Sequence, residues 1–168
     1  MTAGQVDQTI TRLAYEVVER NRGATNLVIF GILKAGAAVA DALAGKIDTI
    51  ENSSVPVRSL DISSFRDDRK DGVIRPGGVE SPGGFDVTDR DVLLVDDVLF
   101  TGRTIRAALD AVIRFGRPRS IQLLVLIDRG HREYPIQPDY VGRSVVTVKE
   151  ARVDVDLSSV GAAVAVER

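Results

Sequence analysis

Residues 92–104 carry the strongest constraint in this sequence. Four apolar residues, Val92-Leu93-Leu94-Val95, lead into the carboxylates Asp96 and Asp97. Then come Val98-Leu99-Phe100 and the turn Thr101-Gly102-Arg103-Thr104. Behind that turn, Ile105, Ala108, Leu109 and Val112 recur on one helical face, which predicts a helix over 104–115. Residues 121–127 form a second apolar run and read as another buried strand. Strand, helix and strand in this order require a parallel sheet with its faces covered.

The rest of the chain extends the pattern. Ile10, Leu13, Ala14, Val17 and Val18 share a helical face over 6–22, and Gly23 is its stop. Residues 27–30 read as a buried strand ending at Gly31, residues 36–47 as an Ala-rich helix, and residues 55–62 and 141–148 as strands. Residues 63–91 stand apart. Charged residues, two Gly-Gly pairs and two prolines predict a mobile excursion that builds no core. Without an internal repeat or linker, all 168 residues read as one α/β domain, a twisted, mainly parallel sheet flanked by helices.

Composition narrows the chemistry. The chain has no cysteine, which removes thiolate catalysis, disulfides and cysteine-ligated zinc together. It has no tryptophan and few aromatics, so a stacking platform for nucleic acid is not expected. The net charge of −2 shows no global pull toward nucleic acid. The first residues lack a signal-peptide pattern and no run is long enough to span a bilayer, so a cytoplasmic protein is expected.

Ligands of open α/β sheets bind beyond the carboxyl ends of strands. Here that position holds two carboxylates and then a helix start, where free N–H groups and the helix dipole favour a phosphate. Gly102 permits close approach of the backbone, and Thr101 and Thr104 add hydroxyl donors. Carboxylates repel phosphate, so Asp96 and Asp97 suit ribose hydroxyls or a metal-bound sugar phosphate. The aspartates alone would also fit nucleotide hydrolases or phospho-acceptor domains. A P-loop is absent, because Gly31–Gly36 is followed by Ala37-Ala38 instead of Lys and a hydroxyl. No G-x-G-x-x-G follows a strand.

Residues 92–104 resemble the 5-phosphoribosyl-1-pyrophosphate (PRPP) signature of type I phosphoribosyltransferases. The likeness continues through Leu60-Asp61-Ile62, Phe65-Arg66-Asp67-Asp68, Gly116-Arg117-Pro118, Ser120-Ile121-Gln122-Leu123 and Asp128-Arg129-Gly130-His131-Arg132-Glu133. Together these are similar to one branch, the bifunctional pyrimidine-operon attenuation regulators with uracil phosphoribosyltransferase activity. That resemblance implies a small hood on the type I fold, a homodimer or higher oligomer, and conversion of uracil and PRPP to UMP and pyrophosphate with Mg²⁺. It implies that UMP-bound protein binds messenger RNA.

Residue by residue, the resemblance assigns PRPP binding to Lys34, Ala35, Gly36, Asp96, Asp97, Val98, Leu99, Phe100, Thr101, Gly102, Arg103, Thr104 and Ile105. Asp96 and Asp97 hold the ribose hydroxyls, residues 101–104 the 5′-phosphate, and Arg66 the leaving pyrophosphate from the flexible catalytic loop at 63–91. Arg69, Lys70 and Asp71 in that loop equally suit a solvated charged surface. Arg129 is implied to contact the nucleotide, and Val153 falls in the base-binding hood. The only histidine, His131, is expected to be structural or RNA-facing. RNA contacts are implied at Thr11, Arg12, Arg20 and Arg132. The metal is expected to be held mainly by substrate, without a tight protein cage.

This chain departs from the branch at Lys34-Ala35, where relatives commonly carry Thr-Arg, and at Tyr15, where they often carry histidine. Lysine supplies a point charge without a guanidinium fork. The loop Leu33-Lys34-Ala35-Gly36 is closer to the purine relatives. Three readings therefore stay open: a bifunctional uracil enzyme, an RNA-binding UMP or PRPP sensor with little catalysis, and a purine-base transferase.

Overall fold

The computed structural model describes residues 1–67, 85–157 and 163–167. Helix α1 spans Ala3–Asn21, strand β1 Leu27–Ile32, helix α2 Ala35–Glu51 and strand β2 Val57–Leu60. Strand β3 spans Asp91–Leu99, helix α3 Arg103–Val112, strand β4 Ser120–Asp128 and strand β5 Tyr140–Ser144. Strands β6 (Arg152–Asp156) and β7 (Ala163–Glu167) pair antiparallel as a small separate ribbon.

The main sheet has the order β2-β1-β3-β4-β5, and every pairing in it is parallel. Its central strands are apolar on both faces, as a sheet covered twice must be. Alternate residues serve different layers. Leu93 and Val95 pack with Ile10, Leu13 and Val17 of α1 and with Val39, Leu43 and Ile47 of α2. Val92 and Leu94 point the other way, against Ile105, Ala108, Ala111 and Val112 of α3. Thr2 starts α1 with a reciprocal capping box to Gln5, its hydroxyl accepting from the Gln5 N–H at 3.3 Å. At the far end Arg22 takes the left-handed turn (φ 55°), one residue before the expected glycine.

The parallel sheet agrees with the sequence expectation, and three details differ from it. Strand β3 continues to Leu99, so Asp96 and Asp97 lie within its last turn of pleat instead of beyond it. Strand β5 stops at Ser144, four residues short of Val148. Its neighbour β4 ends at Asp128, and beyond Asp128↔Ser144 no carbonyl ladder remains to pair with. Val146 is accordingly fully exposed. The ends of the 63–91 excursion do build core. Phe65 and Val87 are buried in the α3 layer, and the Phe85 ring meets Phe30 edge-on. Average composition over 29 residues hid these anchors. The charged and Gly-rich centre, including Arg69, Lys70 and Asp71, lies outside the described residues.

All five strands of the sheet run in one direction, so their carboxyl ends meet along one edge. Residues 33–36, 61–67, 100–104, 129–134 and 145–151 follow those ends, and together with the last residues of β3 they hold most of the PRPP candidates.

Candidate active site

A cavity of about 390 Å³ opens at the carboxyl ends of β3 and β4, lined by Arg66, Asp96, Glu133 and the 98–104 segment. Its floor is the turn from β3 into α3. Gly102 occupies the N-cap of α3 at φ 91°, the left-handed region that favours glycine. A Cβ there would also lie 3.2 Å from Tyr134 Cβ. The first α-helical bond runs from Arg106 N–H to the Gly102 carbonyl. The N–H groups of Thr104 and Ile105 precede it and have no helical acceptor. This is the donor arrangement that a phosphate requires.

Asp96 is buried and accepts a 3.0 Å hydrogen bond from the Asp97 N–H. Burial pushes its carboxyl well above the ordinary carboxylate range, and the neighbouring Asp97 charge adds to the rise. Arg66 opposes it weakly. The Arg66 guanidinium reaches Thr104 Oγ1 at 3.4 Å, so Arg66 stands over the start of α3. The 33–36 loop, implied to bind the same pyrophosphate, is not among the residues that line this cavity.

Gly36 brings the β1–α2 loop against the carboxylates. A Cβ on it would fall 2.7 Å from the Val95 carbonyl oxygen and 3.0 Å from Asp96 Cα. Both neighbours are backbone and cannot swing away. Gly36→Ala should therefore displace the loop and cost about 1–3 kcal/mol. A denaturation midpoint and a PRPP titration would measure the two consequences; an unchanged affinity would detach this loop from the site. Lys34 holds the α2 N-cap position, and its side chain makes no capping bond. The Leu33–Lys34 peptide is cis. Lys34 is exposed and Ala35 half-buried.

The 128–134 stretch ties the site's walls together. Arg129 is buried, stacks its guanidinium 4.2 Å from the Phe100 ring centroid, and donates to the Val148 and Lys149 carbonyls at 3.0 and 3.2 Å. It also bonds Thr147 Oγ1. His131 Nε2 lies 2.7 Å from the Thr147 carbonyl, so that nitrogen carries the proton and donates. Arg132 donates to Asp128, Ile136, Phe100 and Gly130. Glu133 and Tyr134 N–H groups both bond the Thr101 carbonyl. Seven consecutive residues, 128–134, thus fasten the phosphate turn to the 147–149 loop.

Comparison with known proteins decides the family. The model described as the phosphoribosyl transferase domain matches residues 2–159. The bifunctional protein PyrR of Deinococcus radiodurans is 48% identical over 157 residues, covering 94% of this chain and 86% of that protein. The bifunctional protein PyrR of Ligilactobacillus salivarius is also 48% identical, over 91% of this chain and 87% of its own. The chain belongs to the PyrR family of phosphoribosyltransferases. A hypoxanthine phosphoribosyltransferase from Staphylococcus aureus superposes with a TM-score of 0.67 at 22% identity, covering 86% of this chain and 76% of its own. That likeness speaks for the fold alone.

In this PyrR-family chain, several of the residues implied in nucleotide or RNA contacts also make intramolecular bonds. The Arg132 guanidinium, expected on RNA, is turned inward, and its side chain is only 16% exposed. Four protein acceptors use its donors. Arg129 likewise spends Nε and Nη2 on the 147–149 loop. Thr11, Arg12 and Arg20 lie on α1 against β5. Thr11 bonds the Asp7 carbonyl, Arg12 the Gly142 carbonyl at 2.8 Å, and Arg20 pairs with Asp139 at 2.8 Å. Val153 sits in β6, half-buried against the α1–α2 core, and lines none of the described cavity. Tyr15 is 59% exposed on α1.

Sequence reasoning missed Asp67, Tyr134 and Glu133 as neighbours of Arg103. Arg103 bonds Glu133 and Asp67, each at 2.9 Å, and lies over the Tyr134 ring. The only signal was that Asp67 and Glu133 each fall inside a stretch that resembles the family. Arg103's two carboxylate partners, Asp67 and Glu133, are 36 and 30 positions from it in the chain, and no sequence pattern links them. Among the described residues no group of three or more His, Cys, Asp or Glu gathers as a metal site. A Mg²⁺ ion here would draw on Asp96 or Asp97 and on substrate oxygens, which suits a cation that keeps its water.

Proposed function

We propose that this chain transfers the phosphoribosyl group of PRPP to uracil, forming UMP and pyrophosphate, and acts as a UMP-responsive regulator of pyrimidine-operon messenger RNA. The observation that carries this reading is the joint lining of one cavity by Asp96 and the glycine-hinged start of α3. The bond from C1′ to pyrophosphate breaks, a bond from C1′ to N1 of uracil forms, and the N1 proton leaves to solvent or to the departing pyrophosphate. Positive charge gathers on the ribose as the leaving group departs, and the Asp96-Asp97 pair stabilises it. N–H groups of residues 101–105 hold the 5′-phosphate. Mg²⁺, when bound with PRPP, neutralises the pyrophosphate oxygens. Lys34 supplies the positive charge of the 33–36 loop. We place the protein in the cytoplasm as one catalytic domain, working as a homodimer or larger homo-oligomer. Among its described residues, no helix is long and apolar enough to cross a membrane.

Incubation with PRPP, Mg²⁺ and uracil should yield UMP, with hypoxanthine and guanine inert. Product from a purine base would instead favour the purine reading suggested by Leu33-Lys34-Ala35-Gly36. A gel shift with a pyrimidine-operon leader RNA should strengthen when UMP is added. One observation favours a second reading, a UMP or PRPP sensor with weak catalysis. Ala35 offers the pyrophosphate no side-chain donor where relatives commonly carry arginine. Calorimetric UMP binding without product formation would select that reading.

A further inference from the structure

We propose that Asp67, held by Tyr134 and Arg103, is a positioning residue that sets Arg66 over the phosphate-binding start of α3; this rests on the transferase reading above.

The geometry is a closed charge network. Tyr134 O–H donates to Asp67 Oδ2 at 2.7 Å. Arg103 Nη1 donates to the same oxygen at 2.9 Å, and its Nε donates to Glu133 Oε2 at 2.9 Å. Lys149 approaches the other Glu133 oxygen at 3.4 Å. Two carboxylates meet two cations, so the cluster carries no net charge. It joins four segments distant in sequence: the chain after β2, the phosphate turn, the stretch after β4 and, through Lys149, the loop after β5.

Its consequence falls on the adjacent residue. Arg66 immediately precedes Asp67, and its guanidinium reaches Thr104 Oγ1, on the turn that supplies the phosphate donors. Arg66 and residues 101–104 line the same cavity. A long side chain at this place has many rotamers, and an anchored neighbour removes much of that freedom before substrate arrives. Arg103 is thereby explained as well. Its backbone belongs to the phosphate turn, while its side chain grips Asp67 and Glu133. Tyr134 contributes both the hydroxyl and the ring beneath Arg103, whose carbon Cζ lies 5.1 Å from the ring centroid.

An interaction with a substrate phosphate that is equal in the ground and transition states alters KM and spares kcat. Asp67→Asn should therefore raise the KM for PRPP about tenfold, the effect of losing one charge-assisted bond. The KM for uracil and kcat should stay within about twofold. Tyr134→Phe, which keeps the ring and removes one hydroxyl, should move the same constant in the same direction by less. It also preserves the test if Asp67→Asn fails to fold.

The deciding measurement is the double variant with Arg66→Ala. If Asp67 acts through Arg66, Asp67→Asn should change the KM for PRPP by less than about twofold in the Arg66→Ala background. Full multiplication of the two effects, or a change carried by uracil KM, overturns the positioning role while leaving the transferase intact. A wild-type protein that forms no UMP overturns both.

Discussion

Asp96→Asn is expected to raise the melting temperature at neutral pH and to lower the rate of UMP formation by about two to three orders of magnitude. The two effects share one cause. Asp96 is buried, and burial, then the adjacent Asp97, hold its folded carboxyl well above the ordinary value of 3.8. An acid raised in this way favours folding least when it ionises. Below the ordinary value it is protonated in both states and costs nothing. As pH rises above that value, the unfolded chain releases its proton first and stability falls, until the folded carboxyl also ionises. Asparagine removes this penalty while keeping the shape. It also removes the charge placed beside the reacting sugar. Thermal melts from pH 4 to pH 8, with initial rates on the same samples, measure both. A lower melting temperature for the variant at neutral pH would mean that the carboxylate is stabilised in the fold by more than its burial costs.

Arg132→Met should destabilise the fold by about 3–5 kcal/mol, the cost of removing one partner from a buried ion pair. At roughly 2–4 °C per kcal/mol for a chain of this size, the melting temperature falls by about 10 °C. Arg132 bonds Asp128 at 2.6 Å, with both side chains 16% exposed, and also donates to the Phe100 carbonyl at 3.1 Å. Burial raises the Asp128 carboxyl, but the Arg132 bond and the Gly130 N–H bring it below the ordinary range. Stability from a depressed acid is present above its unfolded value and lost as pH falls through the folded one. The variant should therefore lose stability at neutral pH and show a flatter acid limb. Asp128→Asn combined with Arg132→Met should recover part of the loss. Any drop in RNA affinity would then follow from the fold. A well-folded variant that binds leader RNA poorly would instead restore Arg132 to an RNA-facing role.

The strands and helices were legible because their apolar spacing is local. Val92–Val95, the α3 face and the α1 face each declare their period within a dozen residues. The carboxylate pair and the glycine turn were legible for the same reason, since β3, turn and α3 are contiguous. Lengths were read less well. The β-propensity of Val145, Val146 and Val148 points to a strand reaching Val148, yet a strand needs a partner and β4 offers none past Asp128. The 63–91 segment looked uniformly solvated because Phe65, Phe85 and Val87 are diluted among charges and glycines.

By itself the sequence determined the layered parallel architecture and the edge of the sheet where chemistry gathers, through hydrophobic period and turn residues that act over short range. Which cations are available was decided only by the tertiary structure. In the sequence Arg66, Arg103, Arg129 and Arg132 are equivalent positive charges. In the fold Arg66 lines the cavity, Arg103 grips Asp67 and Glu133, Arg129 stacks on Phe100, and Arg132 is consumed by Asp128 and backbone carbonyls. A guanidinium serves whatever acceptors surround it, and for these four the acceptors arrive from strands and loops up to 38 positions away.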